Sequence, residues 1–83
     1  MNSSESETGL RERLFEIRGI PPEKSREFSK SLIRISGFME CKQVDDRTMV
    51  TIRTPERVMN KLLNRLSSMA SHVGGHVDVR VVS

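Results

Sequence analysis

The hydrophobic residues of this chain recur with two different periods, and the switching between them constrains the fold more than any other feature. Val77, Val79 and Val81 recur at every second residue, the period of a half-buried strand. Phe28, Leu32 and Ile35 recur at i, i+4 and i+7, which lays one apolar stripe along a helix. A pattern of one period does not suit the other element, so each segment is committed to a single type of structure.

From the N-terminal side, the first patterned stretch is ambiguous. Leu10, Leu14 and Ile17 fall at helical spacing, whereas Phe15, Ile17 and Gly19 alternate with Leu14, Glu16 and Arg18 as on a strand. A strand over 13–19 is the preferred reading and a helix the other. Pro21–Pro22 stops any hydrogen-bonded element and primes a new one. A helix is expected over 22–36, with Glu23 in its first turn, where the dipole favours negative charge, and Gly37 as its terminator. Strands over 38–44 and 48–53 form a hairpin about the polar turn Asp45–Asp46–Arg47. Thr54–Pro55–Glu56 reads as a helix start, with a hydroxyl N-cap, a proline at the first position and then an acid. Val58, Met59, Leu62, Leu63, Leu66, Met69 and Ala70 cover one wide face of that helix, and Gly74–Gly75 end it. A last strand follows over 77–81.

The expected order is β-α-β-β-α-β. This is an α+β sandwich in which a four-stranded antiparallel sheet carries two helices on one face, the split βαβ or ferredoxin-like layout. A helical first segment would give α-α-β-β-α-β instead. A length of 83 residues and a mass of 9.5 kDa allow one domain. Residues 1–9, MNSSESETG, offer no apolar anchor after Met1 and read as a disordered tail, which leaves 10–83 as a single domain.

Composition narrows the function classes. With 35% hydrophobic and 30% charged residues the chain resembles a soluble globular domain. No apolar run approaches the roughly 20 residues of a membrane span, and the acidic, polar start does not read as a signal peptide. One cysteine cannot make an internal disulfide framework. A cytoplasmic protein with no membrane contact is expected.

Two resemblances accompany this layout. The stretch LFEIRGIPPEKSREFSKSL resembles the opening of an RNA-recognition motif, in which a strand leads through a proline-containing turn into the first helix. That resemblance implies base stacking on aromatic residues of the central strands. The third strand, RTMVTIRT, carries no aromatic residue, and the chain has three phenylalanines with no tyrosine or tryptophan. Phe28 and Phe38 fit the core instead. The stretch 35–67 is similar to the second half of heavy-metal-associated domains, which implies a soft-metal site made by a C-x-x-C pair in the first loop. The chain has PPEKSREF there, without cysteine. Both resemblances bear on the fold, and neither transfers a function, because this superfold hosts many unrelated tasks.

Side chains that could carry chemistry are few. His72 and His76 lie four apart across a Val-Gly-Gly loop, and Cys41 falls on an expected strand, short of the four converging ligands of a closed zinc site. Asp45 and Asp46 are neighbours in a turn, where aspartates commonly bond the local backbone. No phosphate-cradling loop of the G-x-x-x-x-G-K-[ST] kind occurs. A fold this small has little room for a deep pocket. The expectation is a non-catalytic protein with no catalytic residues, no metal ligands and no cofactor.

Charge is the more informative pattern. Arg26, Lys30 and Arg34 stand at i, i+4 and i+8 on the first expected helix, opposite Phe28, Leu32 and Ile35. Arg57, Lys61 and Arg65 repeat that spacing on the second. Like charges at i, i+4 cost a helix about 0.2–0.5 kcal/mol per pair, so stability alone does not select two such stripes. On adjacent helices the six side chains would share one surface, attract an anionic partner and bind phosphates in a salt-sensitive way. The expected function is therefore binding of a nucleic acid backbone, or of an acidic protein, through this face. A rival is a protein-interaction or self-associating module that uses a helix face or strand edge, including a homodimer. Set against these with equal weight is an arginine-rich exterior that serves only solubility, with Glu23 and Glu27 partly neutralising the first stripe, and an enzyme or metal carrier comes third. The other sheet face, with Glu16, Arg18, Thr51, Arg53, Asp78 and Arg80 bordered by Glu40 and Lys42, reads as a solvated lattice of ion pairs.

Overall fold

The structure, a computed structural model, describes residues 9–82. The expected tail over 1–9 lies, apart from Gly9, outside the described residues. The elements are β1 (Leu10–Arg18), α1 (Ser25–Leu32), β2 (Phe38–Val44), β3 (Arg47–Pro55), α2 (Met59–Gly74) and β4 (Asp78–Val81). Single 3-10 turns, Pro22–Lys24 and Glu56–Val58, lead into the two helices. The architecture is α+β, with one antiparallel sheet in the order β2-β3-β1-β4 and two helices.

The register explains where the core sits. Phe15 lies opposite Val50 and Val81, and Ile17 opposite Thr48 and Val79. Cys41 and Phe38 face Val50 and Ile52 from β2. Residues directly opposite each other in a ladder share a face. One face therefore presents Phe15, Ile17, Val50 and Ile52, all fully buried, to Phe28 and Leu32 of α1 and Leu66 and Ala70 of α2. β1 and β3 run antiparallel, and each feeds a helix that returns over this face, so the helices run in opposite directions side by side. Thr48, buried at the start of β3, donates to Gln43 Oε1 at 3.2 Å, and Ser25 at the start of α1 donates to the same oxygen at 3.0 Å. That shared acceptor satisfies a buried group and pins α1 to the hairpin.

Several expected boundaries move, each for a local reason. β1 begins at Leu10 rather than 13, because its pairing with β3 runs out to Leu10 opposite Pro55. The same pairing claims Thr54. It is buried in β3, its hydroxyl contacts only the Pro55 carbonyl at 3.4 Å, and Pro55 occupies the cap position with no side-chain cap. The helix expected over 22–36 is shorter. After its 3-10 turn it runs only to Leu32, and bonds from Ile35 N to Leu32 O (2.9 Å) and from Phe38 N to Ile35 O (3.1 Å) turn the chain toward β2. Ile35 is nonetheless buried, so the apolar stripe ends in a turn rather than on the helix. Gly37 closes that turn at φ +89°, where a Cβ would fall on the Arg53 carbonyl oxygen, and Arg53 N donates to Gly37 O at 2.8 Å. The hairpin turn tightens to Asp45–Asp46, with Asp45 at φ 57°. Val81, expected inward, is 37% exposed because β4 is a short edge strand.

Candidate functional site

Charged side chains are organised differently on the two sides of the sheet. On the face turned away from the helices, Glu16 is only 3% exposed, roofed by arginines from its own strand and both neighbours. Arg47 of β3 and Arg80 of β4 each donate to it at 2.8 Å, and Arg18 stands at 3.5 Å. The hydrogen bond from Arg47 is the main cause that holds the Glu16 carboxyl below the ordinary glutamate range. Burial opposes it, and the bond from Arg80 and the charges of Arg18 and Arg80 add to it. The Arg47 guanidinium is correspondingly raised, chiefly by its bond to Glu16 against burial, with Asp45 and Asp46 contributing charge. Around this centre Arg53 pairs with Glu12 and Lys42 with Glu40, both at 3.3 Å. The expected lattice of ion pairs is present, but its centre is buried rather than solvated.

Arg13 belongs to the opposite, helix-bearing face, since it lies opposite Ile52. It donates to both carboxylate oxygens of Glu56 at 2.8 Å and so fastens β1 to the entry of α2. Its buried Nε has no partner.

The helical side is the reverse of the open face. Arg26, Lys30, Arg34, Arg57, Lys61 and Arg65 are all exposed, and among the described residues none of the six forms an ion pair. Arg11, near the start of β1, is likewise exposed and unpaired there, and sequence patterning did not single it out. Arg26 and Lys30 are one turn apart on α1, on the side away from Phe28 and Leu32. Arg57 sits in the 3-10 turn before α2, and Lys61 and Arg65 lie on α2 itself. Arg34 departs from expectation, because α1 ends before it and it projects from the following turn.

Two open clefts border these cations. A groove of about 440 Å³ between the helices is lined by Glu27, Ser31 and Arg34 on one side and by Arg65, Ser68 and His72 on the other. It brings Arg34 and Arg65, distant in sequence, to one place. A second cleft, of about 470 Å³, lies where the turn after α1 meets the end of β3 and the start of α2. Its walls are Leu10, Ile35, Pro55, Val58 and Leu62, and Arg53, Lys61 and Arg65 reach its lining. Arg65 borders both spaces, whereas Arg26, Lys30 and Arg57 line neither. The one sequence signal for the apolar cleft was the pair of chain-bending residues at its rim, Gly37 and Pro55.

The other candidate residues do not assemble. Cys41 is half-buried with its Sγ 3.4 Å from the Ser29 hydroxyl. His72 lines the inter-helix groove, His76 is exposed in the loop before β4, and among the described residues no three His, Cys, Asp or Glu side chains converge to hold a metal. No described helix is long and apolar enough to cross a membrane. In comparisons with known proteins no family model matches this chain. No curated protein and no solved structure matches it either.

Proposed function

We propose that this is a small, non-catalytic ferredoxin-like domain that binds the phosphate backbone of a nucleic acid through its helical face, with Arg26, Lys30, Arg34, Arg57, Lys61 and Arg65 as the contacting cations. The observation that carries the reading is the asymmetry in pairing. Arg18, Arg47, Arg53, Arg80 and Lys42 on the open face all have carboxylate partners, whereas the six helical cations have none among the described residues. A paired cation gives up part of its field to its carboxylate, and an unpaired, exposed one keeps all of it, although Arg18, Arg47 and Arg80 share the single carboxylate of Glu16 and so are only partly compensated. The groove between α1 and α2 adds to this, since it brings Arg34 and Arg65 from the two stripes to one place. The acids on this side are Glu23, Glu27 and Glu56. Glu56 is taken up by Arg13, and Glu27 stands 4.0 Å from Lys24.

The reading is tested by titrating labelled single- and double-stranded oligonucleotides with the protein at two salt concentrations. Binding should weaken steeply with salt, by a logarithmic slope of about 0.7–0.9 for each phosphate contacted. The double change Lys30→Glu and Lys61→Glu should lower affinity and leave the circular dichroism spectrum unaltered. No binding at low salt, or full affinity in the double variant, would remove the reading.

A second reading, self-association along a free sheet edge, is supported by a different observation. β2 and β4 are the outer strands, and each carries exposed apolar side chains at or beside it, Met39 at 45% on β2 and Val82 at 51% next to β4. Sedimentation velocity over a range of concentrations checks this independently of the oligonucleotide titration.

A further inference from the structure

We propose that the helical face takes its nucleic acid as a single strand, with one unstacked base seated in the apolar cleft beside Lys61 and the adjoining phosphate held between Arg34 and Arg65. This rests on the nucleic-acid reading above and goes beyond it, because backbone charge contacts alone do not distinguish one strand from two.

Three features of the molecule lead to it. The cleft is the wrong kind of space for phosphate and the right kind for a base. Its walls are the aliphatic surfaces of Leu10, Ile35, Val58 and Leu62 with the ring of Pro55, and its volume of about 470 Å³ lies within the range of small-ligand sites. Leu10 is 43% exposed there, so apolar surface is left facing solvent at the mouth. The neighbouring groove is mixed, and it adds a pair of arginines to its apolar lining. Arg34, Arg65, Ser68 and the imidazole of His72 line it and can donate to a phosphate oxygen, beside the apolar side chains of Met69 and Val73; the Ser31 hydroxyl there already donates to the Glu27 carbonyl oxygen at 3.3 Å, and Glu27 is the one opposing charge. Arg65 stands between the two spaces, so a ligand that bridges them carries an anion on one side of it and an apolar plane on the other. A nucleotide unit has that composition, and within a strand it occurs at every step.

A duplex cannot use the cleft without opening, because its bases are stacked inside, whereas a single strand can turn a base outward at small cost. The walls are aliphatic, so the base gains burial of its faces without aromatic stacking, and the preference for one base over another should be slight. Gly37 keeps this geometry possible. Its positive φ and its bond to Arg53 hold the turn after α1 against the end of β3, which forms one rim of the cleft.

The test uses fluorescence polarisation with a labelled single-stranded oligonucleotide of about 12 residues, the same strand with its bases removed at the central positions, and the matching duplex, all at one low salt concentration. The intact strand should bind about fivefold more tightly than the abasic strand and more tightly than the duplex. Leu10→Ser, at an exposed position, should erase the difference between intact and abasic strands and leave binding of the abasic strand unchanged. Equal affinity for intact, abasic and duplex forms, with the expected salt slope, would overturn the single-strand proposal while the backbone reading survived. Absence of binding to all three would remove the reading and the proposal together. A mononucleotide that competes as well as the strand would reassign the cleft to a small molecule and overturn the proposal. Displacement by an acidic polypeptide of matching charge as effective as by the intact strand would overturn it too.

Discussion

The two faces of this domain use the same residue type, arginine, to opposite ends. On the open face of the sheet, Arg18, Arg47 and Arg80 converge on Glu16 from three adjacent strands. They share one carboxylate, which is almost inaccessible, while Arg18 and Arg80 themselves stay more than half exposed. On the helical face Arg26, Arg34, Arg57 and Arg65 stand exposed with no described partner, accompanied by Lys30 and Lys61. The difference follows from geometry. Strands lie roughly 5 Å apart, so an acid on the central β1 is within reach of cations on both flanking strands. Along each helix the neighbours at i, i+4 and i+8 are like charges, and the acids three residues before Arg26 and Lys30, Glu23 and Glu27, form no ion pair with them, Glu27 standing instead 4.0 Å from Lys24. A charge removed from the open face should therefore act on stability, and a charge removed from the helical face on binding.

The largest effect lies in the layer between the two faces. Phe28 is fully buried and ties α1 to the sheet. Phe28→Ala should cost about 3–5 kcal/mol, a large fraction of the roughly 5–15 kcal/mol available to a domain, as read from the urea midpoint at unchanged slope. Both faces would then be lost at once, so this variant sets the scale against which charge changes are judged.

Glu16→Gln sharpens the comparison most directly. It leaves Arg18, Arg47 and Arg80 around a neutral group, and it should lower the urea midpoint at neutral pH by clearly more than any change to an exposed pair, with oligonucleotide affinity unaffected. The effect should also depend on pH. A carboxylate whose folded-state pKa is depressed favours the folded state above its ordinary range, and that contribution disappears as pH falls through the ordinary range toward the depressed value. The gap in stability between the natural protein and the glutamine variant should accordingly be full at pH 7 and shrink on acidification. A gap that stays constant down to acid pH would mean that the arginine roof does not stabilise the ionised form.

Gly37→Ala comes next, at about 1–3 kcal/mol for forcing a side chain into a left-handed backbone region, with a further strain where its Cβ meets the Arg53 carbonyl. It should also disturb the apolar cleft while the Glu16 cluster, at the other end of β1, keeps its pH response. A variant with ordinary stability would show that the turn after α1 relaxes more freely than its backbone bonds imply.

How far each face could be read from the sequence depends on the range of the interactions that make it. The strand and helix order was legible because periodicity is local: Val50 and Ile52 on β3, or Leu62 and Leu66 on α2, announce their element within a few residues. The spacing of the basic residues was visible for the same reason, but Arg34 falls in the turn after α1 rather than on its helical stripe. Thr54 was misread because the local signal, a hydroxyl before proline and glutamate, is identical for a helix cap and a strand end, and pairing with Arg11 across the sheet decided between them. The burial of Glu16 had no local signature at all. Arg47 and Arg80 are 31 and 64 residues away from it, and only the register of two separate ladders brings them over one carboxylate. The double role of Arg65 was hidden likewise, since it depends on where α1 stops and Arg34 turns back.

The smallest effect belongs to the exposed pairs at the rim of the open face. Glu12 and Arg53 meet at 3.3 Å with both side chains 54% exposed. Water screens such a pair and side-chain entropy opposes it, so Glu12→Gln should change stability by about 0–1 kcal/mol, and added salt should erase even that difference. The variant matters for what it isolates. It removes one negative charge from the open face, as Glu16→Gln does, so the two share the same change in net charge and differ in burial and in the number of arginines involved. If Glu12→Gln destabilised the protein as much as Glu16→Gln, the open face would be stabilised by its overall charge balance rather than by the buried carboxylate and its three arginines, and the distinction between a face whose cations are engaged with carboxylates and one whose cations are not would have to be redrawn in terms of net charge alone.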